Sequence, residues 1–196
     1  MAKVIMIFVL MFTATIYGEI ISDPMFKNPD TNWKLRKGKE YKQVKELYKK
    51  GEFSMVSPAA SARTYLVLFT EAQLEEGEVY KFQVEVKTPG SGLVGYAYGT
   101  YGDIFAEDKK IKGGKRARSK DEKGQNLGLM VETEDLSSEW KIHTCHFKVK
   151  PKKSEMNTYM KIMLGEYQGE FKLRNPSLVK AENAPSVKGK GVLEVN

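Results

Sequence analysis

The tyrosines of residues 92–102, GLVGYAYGTYG, are the side chains best suited to a binding role. Tyr96 and Tyr98 share one face of an expected strand, because side chains alternate along a strand, and small residues fill the other face. An aromatic ring can stack on the apolar side of a sugar while its hydroxyl makes hydrogen bonds. We therefore expect Tyr96 and Tyr98 to be exposed and to bind carbohydrate, with Tyr101 and Tyr65 as secondary candidates. The alternative is that the two tyrosines are core residues and that the glycines face outward.

Three neighbouring residues, His143, Cys145 and His146, are of types that bind metal ions, but the chain has too few such residues to form a site. The chain has only two histidines and one cysteine, so these residue types cannot complete a four-ligand zinc site. A cysteine nucleophile with His143 as its base is also disfavoured, because Cys145 belongs to an apolar stripe. We expect a core role for His143 and Cys145, and neither a metal site nor a cofactor.

Catalysis on polysaccharides would need paired carboxylates in a groove. The acidic residues near expected strand ends and turns are Glu132, Glu134, Asp135, Glu166 and Glu170. Their spacing forms no catalytic pattern, so we predict that the protein is not an enzyme. A jelly-roll enzyme that degrades polysaccharide remains the less favoured alternative.

The strand of residues 78–87, EVYKFQVEVK, organises the rest of the chain. Its apolar and polar residues alternate strictly, which is typical of a strand with one buried face. Further short strands are expected in residues 52–57, 64–70, 126–132, 140–149, 158–164 and 169–180, with turn residues between them. Residues 36–50 fit either a short amphipathic helix or a strand and loop. The fold class predicted is all-β, an antiparallel β-sandwich over residues 23–181.

The N-terminal and C-terminal segments differ from this domain. Residues 1–18 carry one charge, Lys3, and a short apolar run, which is typical of a signal peptide. The alternative is an uncleaved membrane anchor, although the run is short for a spanning helix. We expect a secreted or periplasmic protein with no membrane span in the mature chain. Residues 182–196 are polar and are expected to be a disordered tail.

The net charge of the chain favours some classes of binding partner over others. The formal net charge is +7, and residues 103–125 form an expected loop rich in lysine and arginine. Export makes nucleic acid an unsuitable partner, whereas an acidic polysaccharide or cell-surface glycan would complement a basic protein. A solvated basic surface without a ligand is the alternative.

The order of several short motifs resembles the galactose-binding-like jelly-roll carbohydrate-binding modules, the group of families four, nine and twenty-two. Those motifs are residues 26–33 (FKNPDTNW), 74–80 (LEEGEVY), 140–147 (WKIHTCHF) and 171–178 (FKLRNPSL). The resemblance covers residues 25 to about 180 and implies a jelly roll that binds polysaccharide without catalysis. It also implies that Trp33 and Trp140 are mainly core residues.

One position departs from the pattern of that group. Its last strand usually has an Asp that helps hold a structural calcium, and this chain has Arg174 there. Asn28 and Asp30 remain as oxygen ligands, but calcium needs six to eight. We therefore expect no metal site. The function predicted is non-catalytic carbohydrate binding, with an adhesion or assembly module that does not bind sugar as the alternative.

Overall fold

The strand β5 (Val79–Lys87) confirms the alternation read from the sequence. Tyr80, Phe82, Val84 and Val86 are buried and the residues between them are half-buried. β5 lies between two antiparallel neighbours, β9 (Lys141–Lys148) and β11 (Tyr167–Lys180). The computed structural model describes residues 18–62, 65–100, 126–151, 157–182 and 191–196. Within them the protein is an antiparallel β-sandwich.

Sheet A has five strands in the order β1-β4-β10-β7-β8. Its strands are β1 (Trp33–Lys37), β4 (Leu66–Glu71), β7 (Val94–Thr100), β8 (Asn126–Thr133) and β10 (Thr158–Met163).

Sheet B has seven strands, six of them in the order β12-β9-β5-β11-β3-β2, while β6 pairs with β11. Besides β5, β9 and β11 it contains β2 (Glu46–Lys49), β3 (Glu52–Ser57), β6 (Ser91–Gly92) and β12 (Val192–Val195). Two short helical elements precede β2, namely α1 (Pro29–Asn32) and a 3-10 turn, Lys39–Tyr41.

The core lies between the two sheets and is built largely from aromatic rings. Trp33, Phe53, Phe82, Phe147 and Phe171 are all buried there. The strands expected in residues 140–149, 158–164 and 169–180 are observed as β9, β10 and β11, and their alternate apolar residues belong to one core cluster. A shift in register between Arg174 and Ser177 marks a bulge at Pro176, within the interior strand β11.

Residues 36–50 adopt the strand-and-loop alternative. β1 ends at Lys37, and Tyr41 and Val44 are buried although no regular helix joins them to β2. The Tyr41 hydroxyl donates a 2.7 Å hydrogen bond to the carbonyl of Gly165, which anchors the connection to the sandwich.

The prediction of a disordered tail is wrong for the last residues. Val192–Val195 form β12, which pairs with β9 at the edge of sheet B. Asn196 and Ile142 exchange two backbone hydrogen bonds of 2.8 and 3.0 Å. The four residues Val-Leu-Glu-Val are too few to predict a strand from the sequence. Pairing with β9 stabilises this strand, whose intrinsic strand propensity alone is too weak.

The expected signal peptide and the basic loop of residues 103–125 lie outside the described residues, except for Gly18. No helix within the described ranges is long and apolar enough to cross a membrane.

Replacement of Tyr98 should destabilise the whole sandwich. We expect Tyr98→Ala to lower the free energy of unfolding by about 3–5 kcal/mol, by analogy with Phe→Ala in a core. Tyr98→Phe keeps the ring and should cost only about 1 kcal/mol for the lost hydrogen bond. Urea denaturation measures both values, and an unchanged midpoint for Tyr98→Ala would contradict a core role.

Candidate functional site

The prediction that Tyr96 and Tyr98 are exposed is wrong. Both side chains have 0 % exposure and lie between the sheets. The Tyr96 hydroxyl is hydrogen-bonded to Nδ1 of His143 at 2.7 Å, and the Tyr98 hydroxyl donates to the carbonyl of Ala72 at 2.9 Å. Burial raises the pKa of both hydroxyls. Each polar tip has a partner inside the core, so these tyrosines lose no hydrogen bonding by facing inward.

Because the tyrosines of β7 face inward, its small residues form part of the outer face of sheet A. Strand pairing aligns this face in three rows. The rows contain Lys34, Phe69, Lys161, Ala97 and Met130; Arg36, Val67, Met163, Gly95 and Glu132; and Glu71, Tyr159 and Gly99. The alternative stated for this strand, in which Tyr96 and Tyr98 are core residues and the glycines face outward, is therefore the one observed.

The outer face of sheet A carries a second apolar cluster, separate from the main core. Val67, Phe69, Ala97 and Met163 are buried in it, and Met130 and Tyr159 pack against it. The strand expected in residues 64–70, TYLVLFT, is observed as β4, whose residues 66–70 are all buried and therefore contribute to both faces of the sheet. Outer faces of antiparallel sheets are usually polar, so an apolar cluster that is buried at its centre distinguishes this face from an ordinary solvated one.

Tyr159 and Tyr65 lie towards opposite ends of this face. Tyr159 is half-buried and its ring meets that of Phe69 edge to face, with centroids 5.7 Å apart. Tyr65 precedes β4 and is 37 % exposed, and its carbonyl accepts a hydrogen bond from the Gly38 backbone. Glu71, which pairs with Tyr159, lies six residues after Tyr65, a distance of about 20 Å along a strand. Of the predicted residues, only Tyr65 is exposed, and Tyr101 lies outside the described residues.

Tyr159 was missed by the sequence reading. It belongs to TYMKIML, where the alternation of Met160, Ile162 and Leu164 marks the inward face. The same alternation places the Tyr159 side chain on the outward face, so its position was predictable from the sequence.

Two carboxylates on the outer face are too far apart to act as a catalytic pair. Glu71 is on β4 and Glu132 is on β8, three strands away. Strand spacing alone separates them by about 14 Å. Glycosidases need two carboxyl groups within roughly 5–9.5 Å of each other.

Histidine and cysteine occupy the core, as the sequence indicated. His143 and Cys145 are both fully buried, and burial raises the pKa of the Cys145 thiol, which opposes a nucleophilic role. Burial also lowers the pKa of His143 to about 4, although Asp135 acts in the opposite direction. No group of three or more metal-binding residues occurs in the described ranges.

Arg174 has a structural partner of its own. Its Nε donates to Oε2 of Glu85 at 2.7 Å, and Asn175 donates to the other carboxylate oxygen at 2.8 Å. These contacts lower the pKa of Glu85, the hydrogen bond from Asn175 most strongly. The guanidinium carbon lies 4.1 Å from the centre of the Trp140 ring. Trp140 is therefore half-buried beneath a cation rather than a core residue, whereas Trp33 is buried as expected.

Comparison with known proteins places the fold among carbohydrate-binding modules. No protein-family model matches the chain, and no curated protein matches it. A solved structure of a CBM4 module is similar with a TM-score of 0.60 and 11% identity, over 82% of this chain and 99% of that chain.

Two further structures have the same fold. The N-terminal cellulose-binding domain of β-1,4-glucanase C from Cellulomonas fimi matches with a TM-score of 0.54 and 14% identity, over 84% of this chain and 98% of that one. An arabinose-bound α-L-arabinofuranosidase matches with a TM-score of 0.54 and 10% identity, over 84% of this chain but only 26% of the enzyme. The jelly-roll fold that the motif order implied is thus confirmed.

The buried histidine should make stability depend on acidity. His143 is neutral in the folded protein, and its pKa of about 4 is below the ordinary 6.5, so the unfolded chain binds the proton more tightly. Its contribution is complete above pH 6.5 and is lost as the pH falls towards 4, by about 3 kcal/mol. Unfolding measured between these pH values should show this loss in the native protein.

The variant His143→Gln separates this effect from carboxylate titration. The pH dependence should be about 3 kcal/mol smaller in His143→Gln than in the native protein over the same range. Equal curves for His143→Gln and the native protein would show that His143 is not the group responsible.

Proposed function

We propose that the protein binds polysaccharide without catalysis, on the outer face of sheet A. The observation that carries this proposal is the second apolar cluster on that face, bordered by Tyr159, which is half-buried, and by charged residues. Sugar sites combine apolar surface with a few well-placed polar groups. The protein also has the fold of carbohydrate-binding modules, which supports the same proposal.

We expect a glycan to contact the solvent-accessible margin of the outer face of sheet A. The centre of the cluster is buried, whereas Tyr159 and Glu132 are half-buried and Lys34 and Glu71 are exposed. A sugar ring stacked on Tyr159 would meet Glu71, its partner in the strand pairing, as a hydrogen-bond acceptor. Tyr65 would supply a second ring for a longer chain.

The wide separation of Glu71 and Glu132 favours a binder over an enzyme. The adhesion or assembly alternative shares the apolar face but predicts no affinity for any glycan. We also propose that the protein acts outside the cytoplasm, on the signal-like pattern of residues 1–18.

Truncation of Tyr159 should weaken glycan binding without unfolding the protein. We expect Tyr159→Ala to raise the dissociation constant about tenfold, since one lost aromatic contact is worth about 1–2 kcal/mol. Calorimetry with xylan, β-glucan and polygalacturonate oligosaccharides measures the constant. The reducing sugar released from the same polymers should stay at background.

Matched variants make that result specific. Tyr159→Phe keeps the ring and should retain most of the affinity, whereas Ile142→Ala, on sheet B, should change nothing. A native protein that binds none of the polymers would refute the proposed function. Binding that Tyr159→Ala leaves intact would move the site away from this face.

The ligand is proposed to be acidic. Lys34 and Arg36 lie on the β1 border of the outer face, and the chain carries a formal charge of +7. Polygalacturonate should therefore bind more tightly than neutral β-glucan, and added salt should reduce the difference through screening. Lys34→Gln should weaken only the acidic ligand. Equal affinities at low salt would contradict the acidic preference while leaving glycan binding itself in place.

A further inference from the structure

A second surface lies on the opposite side of the sandwich, on the outer face of sheet B. Leu47 on β2 and Val56 on β3 are 57 % and 62 % exposed, the largest values among the exposed large hydrophobic residues described. Both line a hollow of about 390 Å³, together with Val44, Met55 and Pro58. We call this feature the β2–β3 hollow. Scattered exposed apolar residues are ordinary, and these two differ from such residues in lining one depression.

The β2–β3 hollow lies in a lysine-rich segment of the chain. Lys45 lines it, and Lys42, Lys49 and Lys50 are exposed in the same segment of chain. Within the described residues, no salt bridge joins any of these four lysines to a carboxylate.

The acidic residues nearby do not neutralise this charge. Glu170, which also lines the hollow, is engaged by Lys172 at 3.0 Å. Glu46 is held by Lys37. The four lysines therefore outnumber the two other carboxylates of this segment, Glu40 and Glu52, the second of which faces Lys49 in the strand pairing.

We infer that the β2–β3 hollow binds an acidic segment of a partner protein that inserts an apolar side chain between Leu47 and Val56. The apolar lining supplies the pocket, and the unpaired lysines complement flanking Asp or Glu residues. A concave site favours an inserted side chain over a flat membrane surface. The site is independent of the proposed glycan face, because the two occupy opposite outer faces of the sandwich.

A synthetic peptide provides the probe. Fluorescence anisotropy is measured with a labelled peptide of sequence Asp-Glu-Glu-Leu-Phe-Glu-Glu-Asp, with a second peptide in which alanine replaces the two apolar residues, and with a third in which lysine replaces the acidic ones. The native protein should bind the first peptide at least tenfold more tightly than either control peptide. Added salt should weaken the binding, since exposed charges are screened.

Variants of the protein test the location. The double variant Leu47→Ser/Val56→Ser should bind at least tenfold more weakly, and Lys45→Gln/Lys49→Gln should bind more weakly and with less salt dependence. Ile142→Ser, which alters an exposed apolar residue elsewhere on sheet B, is the matched control and should bind normally. All the altered side chains are at the surface, and a thermal melt verifies that each variant is folded.

Three results would overturn the inference. They are no binding of the acidic peptide at millimolar concentration, equal binding of the lysine peptide, and binding that the Leu47→Ser/Val56→Ser variant leaves unchanged. Vesicles containing anionic lipid form a separate arm. Binding to vesicles without binding to the peptide would assign the surface to a membrane instead.

Discussion

The tyrosines of β7 pack between the sheets against aromatic residues of sheet B, and this contact determines which side of β7 faces outward. Tyr98 stacks on Phe147 with ring centroids 5.7 Å apart, and Phe147 in turn stacks on Tyr80 at 6.0 Å. Tyr96 meets Phe82 at 6.0 Å and His143 at 5.6 Å. Burying these rings is strongly favourable because each removes a large apolar area from water. The small residues of β7 must then lie on the outer face, next to Phe69 and Met163.

The strands could be predicted from the sequence where apolar and polar residues alternate unambiguously. β5 and β9 show one apolar stripe each, and both were placed correctly. β7 was harder because tyrosine is amphipathic, so alternation with glycine shows that the strand has two different faces without showing which one is buried. The decisive facts were the positions of His143 and the Ala72 carbonyl, which accommodate the two hydroxyls. Both positions depend on tertiary structure.

The two outer faces differ in how they combine apolar and charged groups. On sheet A the apolar residues are central and largely buried, with Lys34 and Glu71 exposed at the border. On sheet B, Leu47 and Val56 are themselves exposed, beside lysines that have no acidic partner in the described part of the chain. Residues 36–50 are rich in lysine, but the sequence alone does not show that the hairpin of β2 and β3 places apolar residues beside those lysines. That arrangement depends on the pairing of Leu47 with Ser54.

The order of strands in the sheets also bears on how quickly the chain reaches this structure. Of the strand pairings in the described residues, only β2 with β3 and β7 with β8 join consecutive strands. Every other pairing closes a longer loop, whose entropy must be lost before the contact stabilises anything. Such topologies fold on the millisecond-to-second scale rather than in microseconds. The hairpin of β2 and β3, with only two residues between its strands, is the structure able to form early, whereas β11 must wait until distant parts of the chain, β3 and β5, have come together around it.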